Sequence, residues 1–356
     1  MRRAFRIFAV LLGIYVTVEV IVSMTALPYA LNAEAARRPD GRLHHALTPN
    51  VSNGFATWGN VRYPFRTNSL GFRDATARLV PPTTEKPARV VIIGDSFTEG
   101  MGLPWEKTFV GLFAAAHPEI DVLNAGVASY SPSIYLRSIE RLLEHNVSFD
   151  HVIVYIDISD IQDEAVVYHF DADGNVKDAT PAWQFPRVEW FFRHLFPMTL
   201  FVRNWIGDRD RRPPAPTALE DPQAQPRGMW TVRSSMNGAY GTLGVEGGIE
   251  KAQANMTTLA NLLRARGIKF SVAVYPWPAQ LLYDTVDSRA VSIWRSWCAA
   301  NGCALFINHF PDFFARREQP DWRDQLYIRG DIHFTEAGNR LVEQRLSAAF
   351  DSQPRP

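Results

Sequence analysis

The sequence predicts an α/β protein, a three-layer α/β/α sandwich around a central parallel sheet, with an N-terminal transmembrane helix ahead of it. Three observations lead there. Over about 88–351, short continuous apolar runs alternate with helical patterns of ten or more residues, which implies crossover connections and parallel strands covered on both faces. The 356 residues are 46% apolar and 21% charged, an ordinary globular balance. The first thirty residues break that balance with a long run almost free of charge.

Taken in order, Arg2, Arg3 and Arg6 precede the run Ile7 to Leu31, in which Glu19 is the one formal charge. As a helix that run reaches about 37 Å, against a hydrocarbon core of about 30 Å. Residues 1–31 therefore read as an uncleaved signal anchor, with 7–31 in the lipid bilayer. The arginines stay cytoplasmic, and the rest lies outside the inner (plasma) membrane, in the periplasm or beyond. A cleavable signal peptide ending near Ala33-Glu34-Ala35 is the competing reading, although its apolar region is usually about 7–15 residues. Residues 32–87 read as a stalk and an extended segment, Trp58 to Arg73, packed on the main domain. Strands follow at Arg89–Ile93, Ile120–Asn124, His151–Ile156, Lys269–Tyr275 and Ala304–Ile307. Helices are expected around Ile134–Leu143, over about 250–265 and 287–300, and from Glu336 to Phe350. An insertion, 163–245, carries an aromatic stretch, Trp190 to Trp205, and a Pro-rich linker, Asp208 to Gly228. The aromatic stretch is expected to pack as a satellite core; covering a substrate groove or dipping into a membrane surface are the alternatives. Cys298 and Cys303 flank a turn at Gly302, and the sequence leaves open whether they form a disulfide or stay as buried thiols.

Thirty-seven Lys and Arg balance thirty-seven Asp and Glu, so no basic field exists to hold a nucleic acid. Two cysteines do not make a structural zinc site, and His44-His45, as neighbours on a strand, are expected to leave opposite faces. Gly94 to Gly100 lacks the lysine of a phosphate-binding loop. No cofactor or metal is expected.

The chemistry gathers at two places. Gly94-Asp95-Ser96-Phe97-Thr98-Glu99-Gly100 follows the first strand, where a serine at a strand tip combines an exposed hydroxyl with convergent backbone N–H groups. Gly330-Asp331-Ile332-His333 lies just before the last helix. Imidazole takes a hydroxyl proton near neutral pH, and a carboxylate fixes its tautomer.

Together these segments resemble the SGNH/GDSL hydrolase superfamily of serine esterases and acyltransferases, over roughly 88–351. The first block is met by Gly94, Asp95, Ser96 and Gly100. Asn124-Ala125-Gly126 resembles the second, and Asp331, His333 and Gly338 the C-terminal one. Asn68-Ser69-Leu70-Gly71-Phe72-Arg73 is similar to a segment ahead of the first strand in exported bacterial members. The resemblance implies a flavodoxin-like sandwich, Ser96 as nucleophile, and His333 and Asp331 as its triad partners. It also implies an oxyanion hole from the N–H groups of Ser96 and Gly126. The third block departs from the pattern: Asp157-Ile158-Ser159-Asp160 puts Ser159 where an asparagine carboxamide is usual, so Ser159 is the third expected oxyanion donor, through a hydroxyl that is shorter than a carboxamide. Unless another group, such as one from the insertion, supplies that bond, the loss of one donor costs about 10²–10³ in rate. Asp331 and His333 are two apart rather than three, a spacing also found in polysaccharide O-acetylation proteins of the superfamily.

The function expected is a membrane-anchored serine esterase acting on a small-molecule, glycan or lipid ester. An O-acetyltransferase for a cell-surface polysaccharide is the alternative, and a non-catalytic envelope-assembly or binding protein on a degenerate hydrolase fold is the further one.

Overall fold

The computed structural model describes residues 2–25, 37–58, 61–178, 226–232 and 238–353. The aromatic stretch and most of the Pro-rich linker of the insertion lie outside the described residues. The chain divides into two compact units, Met1–Ala35 with Pro181–Pro213, and Ala36–Thr180 with Pro214–Pro356. In the first, α1 (Arg2–Thr25) takes in Arg2, Arg3 and Arg6 at its start. Its Glu19 accepts a hydrogen bond from the Tyr15 hydroxyl at 2.8 Å, one turn away. Among the described residues no helix is long and apolar enough to cross a membrane. The spanning helix expected over 7–31 is therefore not supported, and its last six residues lie outside the described ones.

The second unit opens with two antiparallel hairpins, β1 (Arg37–Asp40) with β2 (His44–Leu47) and β3 (Gly54–Trp58) with β4 (Val61–Phe65). There follow β5 (Ala88–Ile93), β6 (Ile120–Asn124), β7 (His151–Ile156), a short antiparallel pair β8 (Tyr168–Phe170) and β9 (Val176–Asp178), then β10 (Lys269–Val274) and β11 (Leu305–Asn308). Five of these form one parallel sheet in the order β11-β10-β7-β5-β6. Every residue of β5, β6 and β7 is buried, which is why their apolar residues run consecutively, as in Val90–Ile93 and Val152–Ile156, rather than alternating.

The strand order fixes the layers. From β5 the chain crosses outward to β6 through α3 (Phe109–Ala116), following the short α2 (Ser96–Glu99), then reverses past β5 to β7 through α4 (Pro132–Glu144). Right-handed crossovers in opposite directions put α3 and α4 on opposite faces. The steps to β10 through α5 (Gly244–Arg264) and to β11 through α6 (Arg289–Asn301) continue in the α4 direction and share its face. Helix α7 (Glu336–Asp351) returns to pack on α3, while α5 packs on α4. The α/β sandwich with a central parallel sheet is thus as expected. Cys298 and Cys303 are joined by a disulfide where α6 ends at the left-handed Gly302.

Two buried arginines tie the segment before β5 to this frame. Arg89 hydrogen-bonds Asp121 on the neighbouring strand at 2.7 Å and the carbonyls of Pro82 and Ser148. Arg73 is fully buried, and its guanidinium donates to the carbonyls of Glu99, Gly100 and Leu103 at the end of α2. Asn68 shapes the loop that delivers it, accepting from the Leu70 and Phe72 N–H groups and donating to Asp74.

Candidate active site

The loops after β5, β6 and β7 leave the carboxyl edge of the sheet, where open α/β sheets hold their ligands. After β5 the chain turns sharply at Gly94. A Cβ there would fall 2.3 Å from Thr98 Oγ1 and 2.9 Å from the Tyr155 carbonyl, so only glycine fits. Asp95 caps α2 by accepting from the Phe97 N–H at 3.0 Å. Ser96 is the first residue of α2, so its N–H has no acceptor within the helix.

The Ser96 hydroxyl lies 2.8 Å from His333 Nε2, and His333 Nδ1 lies 2.6 Å from Asp331 Oδ1. The structure thereby joins two segments 237 residues apart. Asp331 Oδ1 also accepts from the backbone N–H groups of Ile332 and His333. Its other oxygen accepts from Trp58 Nε1 in the β3–β4 hairpin, a partner that the sequence reading does not assign. Burial alone would raise the Asp331 carboxyl, but the hydrogen bond and charge of His333, with the Trp58 N–H, hold it below the usual range. Trp58 and Phe97 both pack on the His333 ring, with centroids 5.0 and 4.8 Å away.

The expected oxyanion donors are placed unevenly. Ser159 follows β7 and lines the same cleft as Ser96, and among the described residues no group hydrogen-bonds its hydroxyl. The Gly126 N–H is not open as expected: it donates to Asn124 Oδ1 at 3.0 Å, while Asn124 Nδ2 holds the Thr98 carbonyl at 2.8 Å. An asparagine side chain readily reaches the amide two residues on. The glycine serves close approach instead, since a Cβ would lie 2.6 Å from the Thr98 side chain and 2.8 Å from Glu99 N.

Behind Ser96 sits a buried polar chain. The Tyr275 hydroxyl lies 3.0 Å from Asp95 and 2.8 Å from Asp157, bridging the two carboxyls, and Trp277 Nε1 donates to Asp157 at 2.6 Å. Burial, with Asp157 adding to it, pushes the Asp95 carboxyl well above the ordinary range. Asp160 is raised in the same way.

The cleft over these groups holds about 790 Å³ and is walled by Arg37, His44, Trp58, Tyr168, Arg227 and Trp277 among others. Arg37 pairs with the buried Glu99 at 2.6 Å, and Glu99 in turn accepts from the Ala128 N–H. His44 and His45 do not leave opposite faces: their Nδ1 atoms lie 2.8 Å apart. The reason is local, because His44 adopts φ +72°, a left-handed conformation that breaks the alternation of β2. His45 donates from Nε2 to the Ala128 carbonyl, so its Nδ1 accepts from His44, whose Nε2 meets Asp178 at 3.1 Å. Sequence patterning could not show this wall, which gathers from β1, β2, β9 and the insertion. Only Trp277, just beyond an expected strand end, stood where a site residue is looked for.

No protein-family model matches the chain, and no curated protein matches it. Solved structures do. A lipolytic protein of the G-D-S-L family from Veillonella parvula matches with TM-score 0.40 at 13% identity, over 74% of this chain and 99% of its own. An acetylxylan esterase from Geobacillus stearothermophilus matches with TM-score 0.42 at 13% identity, over 76% and 97%. A psychrotrophic esterase from Pseudoalteromonas matches with TM-score 0.39 at 13% identity, over 74% and 97%. Likenesses this distant carry no mechanistic inference, which rests on the side chains themselves. The sequence blocks in their order, and the serine–histidine–aspartate contact at the carboxyl edge of a parallel sheet, make this chain similar to the SGNH/GDSL hydrolases.

Proposed function

We propose that this protein is a serine ester hydrolase working through Ser96, His333 and Asp331. One observation carries the reading: the Ser96 hydroxyl meets His333 Nε2 at 2.8 Å while Asp331 holds the opposite ring nitrogen at 2.6 Å. Ser96 Oγ attacks the ester carbonyl as His333 takes its proton, and Asp331 stabilises the imidazolium. The Ser96 N–H and the Ser159 hydroxyl face the developing oxyanion. His333 then gives the proton to the leaving alcohol. Water, deprotonated by the same ring, releases the acid from the acyl-enzyme.

Charged groups interrupt the largely apolar cleft walls and disfavour a long apolar chain where they lie. A long acyl chain laid along them would desolvate Arg37, His44, Asp178 and Arg227 without compensating them. A short acyl group on a glycan or other polar alcohol meets no such penalty. The volume left beyond an acetyl group also supports the second reading, transfer of the acyl group to a glycan hydroxyl.

We place the catalytic unit outside the cytoplasm, tethered through α1. The Cys298–Cys303 disulfide suits an oxidising compartment, and α1 exposes Phe5, Ile7, Phe8, Leu11 and Ile14. The tether is tested by alkaline extraction of membranes, in which release of the protein into the soluble fraction excludes it.

The chemical reading is tested with a fluorophosphonate probe and an activated acetyl ester. Labelling and turnover are expected, and both are lost in Ser96→Ala. Absence of both in the parent protein would favour the binding role. With an oligosaccharide present, acetylated sugar marks a transferase and free acetate alone a hydrolase.

A further inference from the structure

The oxyanion site is short of donors: Asn124 holds the Gly126 N–H, and Ser159 offers a short hydroxyl in place of a carboxamide. The insertion brings a cation to that deficit. Residues Pro226–Gly228 form a tight turn fixed on the loop that carries Ser159. Trp230 Nε1 donates to the Ile158 carbonyl at 2.8 Å. Gly228 lies against Trp277, where a Cβ would come within 2.9 Å of the indole. From this turn Arg227 enters the cleft shared with Ser96 and Ser159.

Its Nη2 donates to both oxygens of Asp163, at 2.6 Å each. Ser159 and Asp163 are four residues apart on one helical turn, with the Asp163 N–H donating to the Ser159 carbonyl at 3.1 Å. The Asp163 backbone therefore lies about one turn, roughly 6 Å of rise, from that of Ser159, and the guanidinium anchored on it lines the same cleft as Ser159. Among the described residues Nε is buried with no partner and Nη1 has none either. Nη1, which is not buried, is the donor left free to meet a substrate oxygen.

We infer that Arg227 is a catalytic residue that completes the oxyanion hole in place of the missing carboxamide, with Asp163 as its positioning residue. The inference rests on the acyl-ester reading above. As the Ser96 Oγ–carbon bond forms, the carbonyl π pair moves onto oxygen and the serine proton passes to His333. Arg227 donates a hydrogen bond to that oxygen and keeps its proton. When the pair returns, the carbon–alkoxide bond breaks and the alcohol leaves with the proton from His333.

The test uses the full chain and p-nitrophenyl acetate, a neutral ester that gives a cation no anionic group to bind. Turnover must first be shown to depend on Ser96; without it the esterase reading itself fails, before any Arg227 variant is examined. Given turnover, Arg227→Gln is expected to lower kcat about 10²-fold with KM within about twofold. Arg227→Lys, keeping charge without the fork, should fall between. Adding Ser159→Asn to Arg227→Gln restores a carboxamide and should recover at least about tenfold in kcat. An unchanged kcat, a rise in KM alone, or a double variant no faster than Arg227→Gln overturns the assignment. Should Arg227→Gln fail to fold, as judged by its thermal midpoint, the kcat of Arg227→Lys decides alone: a value equal to the parent's overturns it.

Discussion

At the scale of single residues, the site depends on which oxygen of Asp331 does what. Oδ1 orients His333, and the second oxygen is held by Trp58. Asp331→Asn removes the acceptor that fixes the imidazole tautomer, so kcat is expected to fall by on the order of 10²–10⁴ with KM little moved. Trp58→Phe keeps the ring contact with His333 but loses one donor to the carboxylate. The Asp331 pKa, now held low against burial, then rises. The carboxylate that orients His333 is then less firmly held, so kcat is expected to fall; a kcat equal to the parent's would show that the indole N–H is idle. These residues were unevenly legible. Ser96, Asp331 and His333 announce themselves because a nucleophile and its base each require flanking residues of defined type. Trp58, Arg37 and Arg227 touch the site only through the tertiary fold, and nothing local in their sequence marks them. At Gly126 the difference has another origin: its N–H is occupied by a neighbouring side chain whose rotamer no sequence pattern fixes.

Among the elements, α2 is the one whose stability and function are hardest to separate. Four residues long, it cannot hold itself, and its last carbonyls are satisfied from outside by the buried Arg73 guanidinium. Tyr63 and Phe65 lie beneath that cation, with ring centroids 5.4 and 5.1 Å away, so β4 forms its floor. Arg73→Met keeps the bulk but leaves buried carbonyls unpaired, each costing about 1–3 kcal/mol. A loss on the order of 3–5 kcal/mol in urea unfolding is expected, together with reduced turnover as the Ser96 end of α2 loosens. A loss under about 1 kcal/mol would mean that the carbonyls find other donors. The Asn68–Arg73 segment thus gains a physical role, clamping the helix that begins with the nucleophile. The central strands β5 and β7 were legible because burial on both faces erases alternation. The hairpins β1–β2 and β3–β4 were not, because their strands are only four or five residues long and Pro interrupts β1 and β4. In β2 a left-handed His44 also breaks the period-two pattern on which strand reading depends.

For the whole molecule, the groups with resolved shifts pull stability in opposite directions with pH. His151 and His309 are buried and neutral, pushed by burial down to about 4 and about 3. Unfolding returns them to the ordinary imidazole value near 6.5, so the unfolded chain binds more protons between about 3 and 6.5 and stability rises with pH across that window. The buried carboxyls act with the other sign. Asp163 is raised by burial to about 7, with Arg227 opposing, and Asp95 and Asp160 stand well above the usual range. Their stabilising contribution is full below the unfolded value near 3.9 and is lost as pH rises towards each folded value, because unfolding there releases protons. Below about 6.5 the two effects oppose each other. Above it the imidazoles no longer contribute, and the carboxyls alone should make the thermal midpoint fall with pH. Asp160 is the cleanest probe: one oxygen accepts from Tyr135 at 3.0 Å, and the other is buried without a partner, a setting suited to a neutral carboxyl. Asp160→Asn is therefore expected to become steadily less destabilising relative to the parent as pH climbs above about 3.9, with the histidine contribution unchanged. His309→Phe should do the reverse, since the ring stacks on Tyr155 at 5.7 Å and neither nitrogen has a partner to lose. Thermal midpoints of the two variants across pH 4 to 9, taken as differences from the parent, read out the two limbs separately. Parallel curves would show that these buried groups titrate together with the unfolded chain and that the opposing-limb account is wrong.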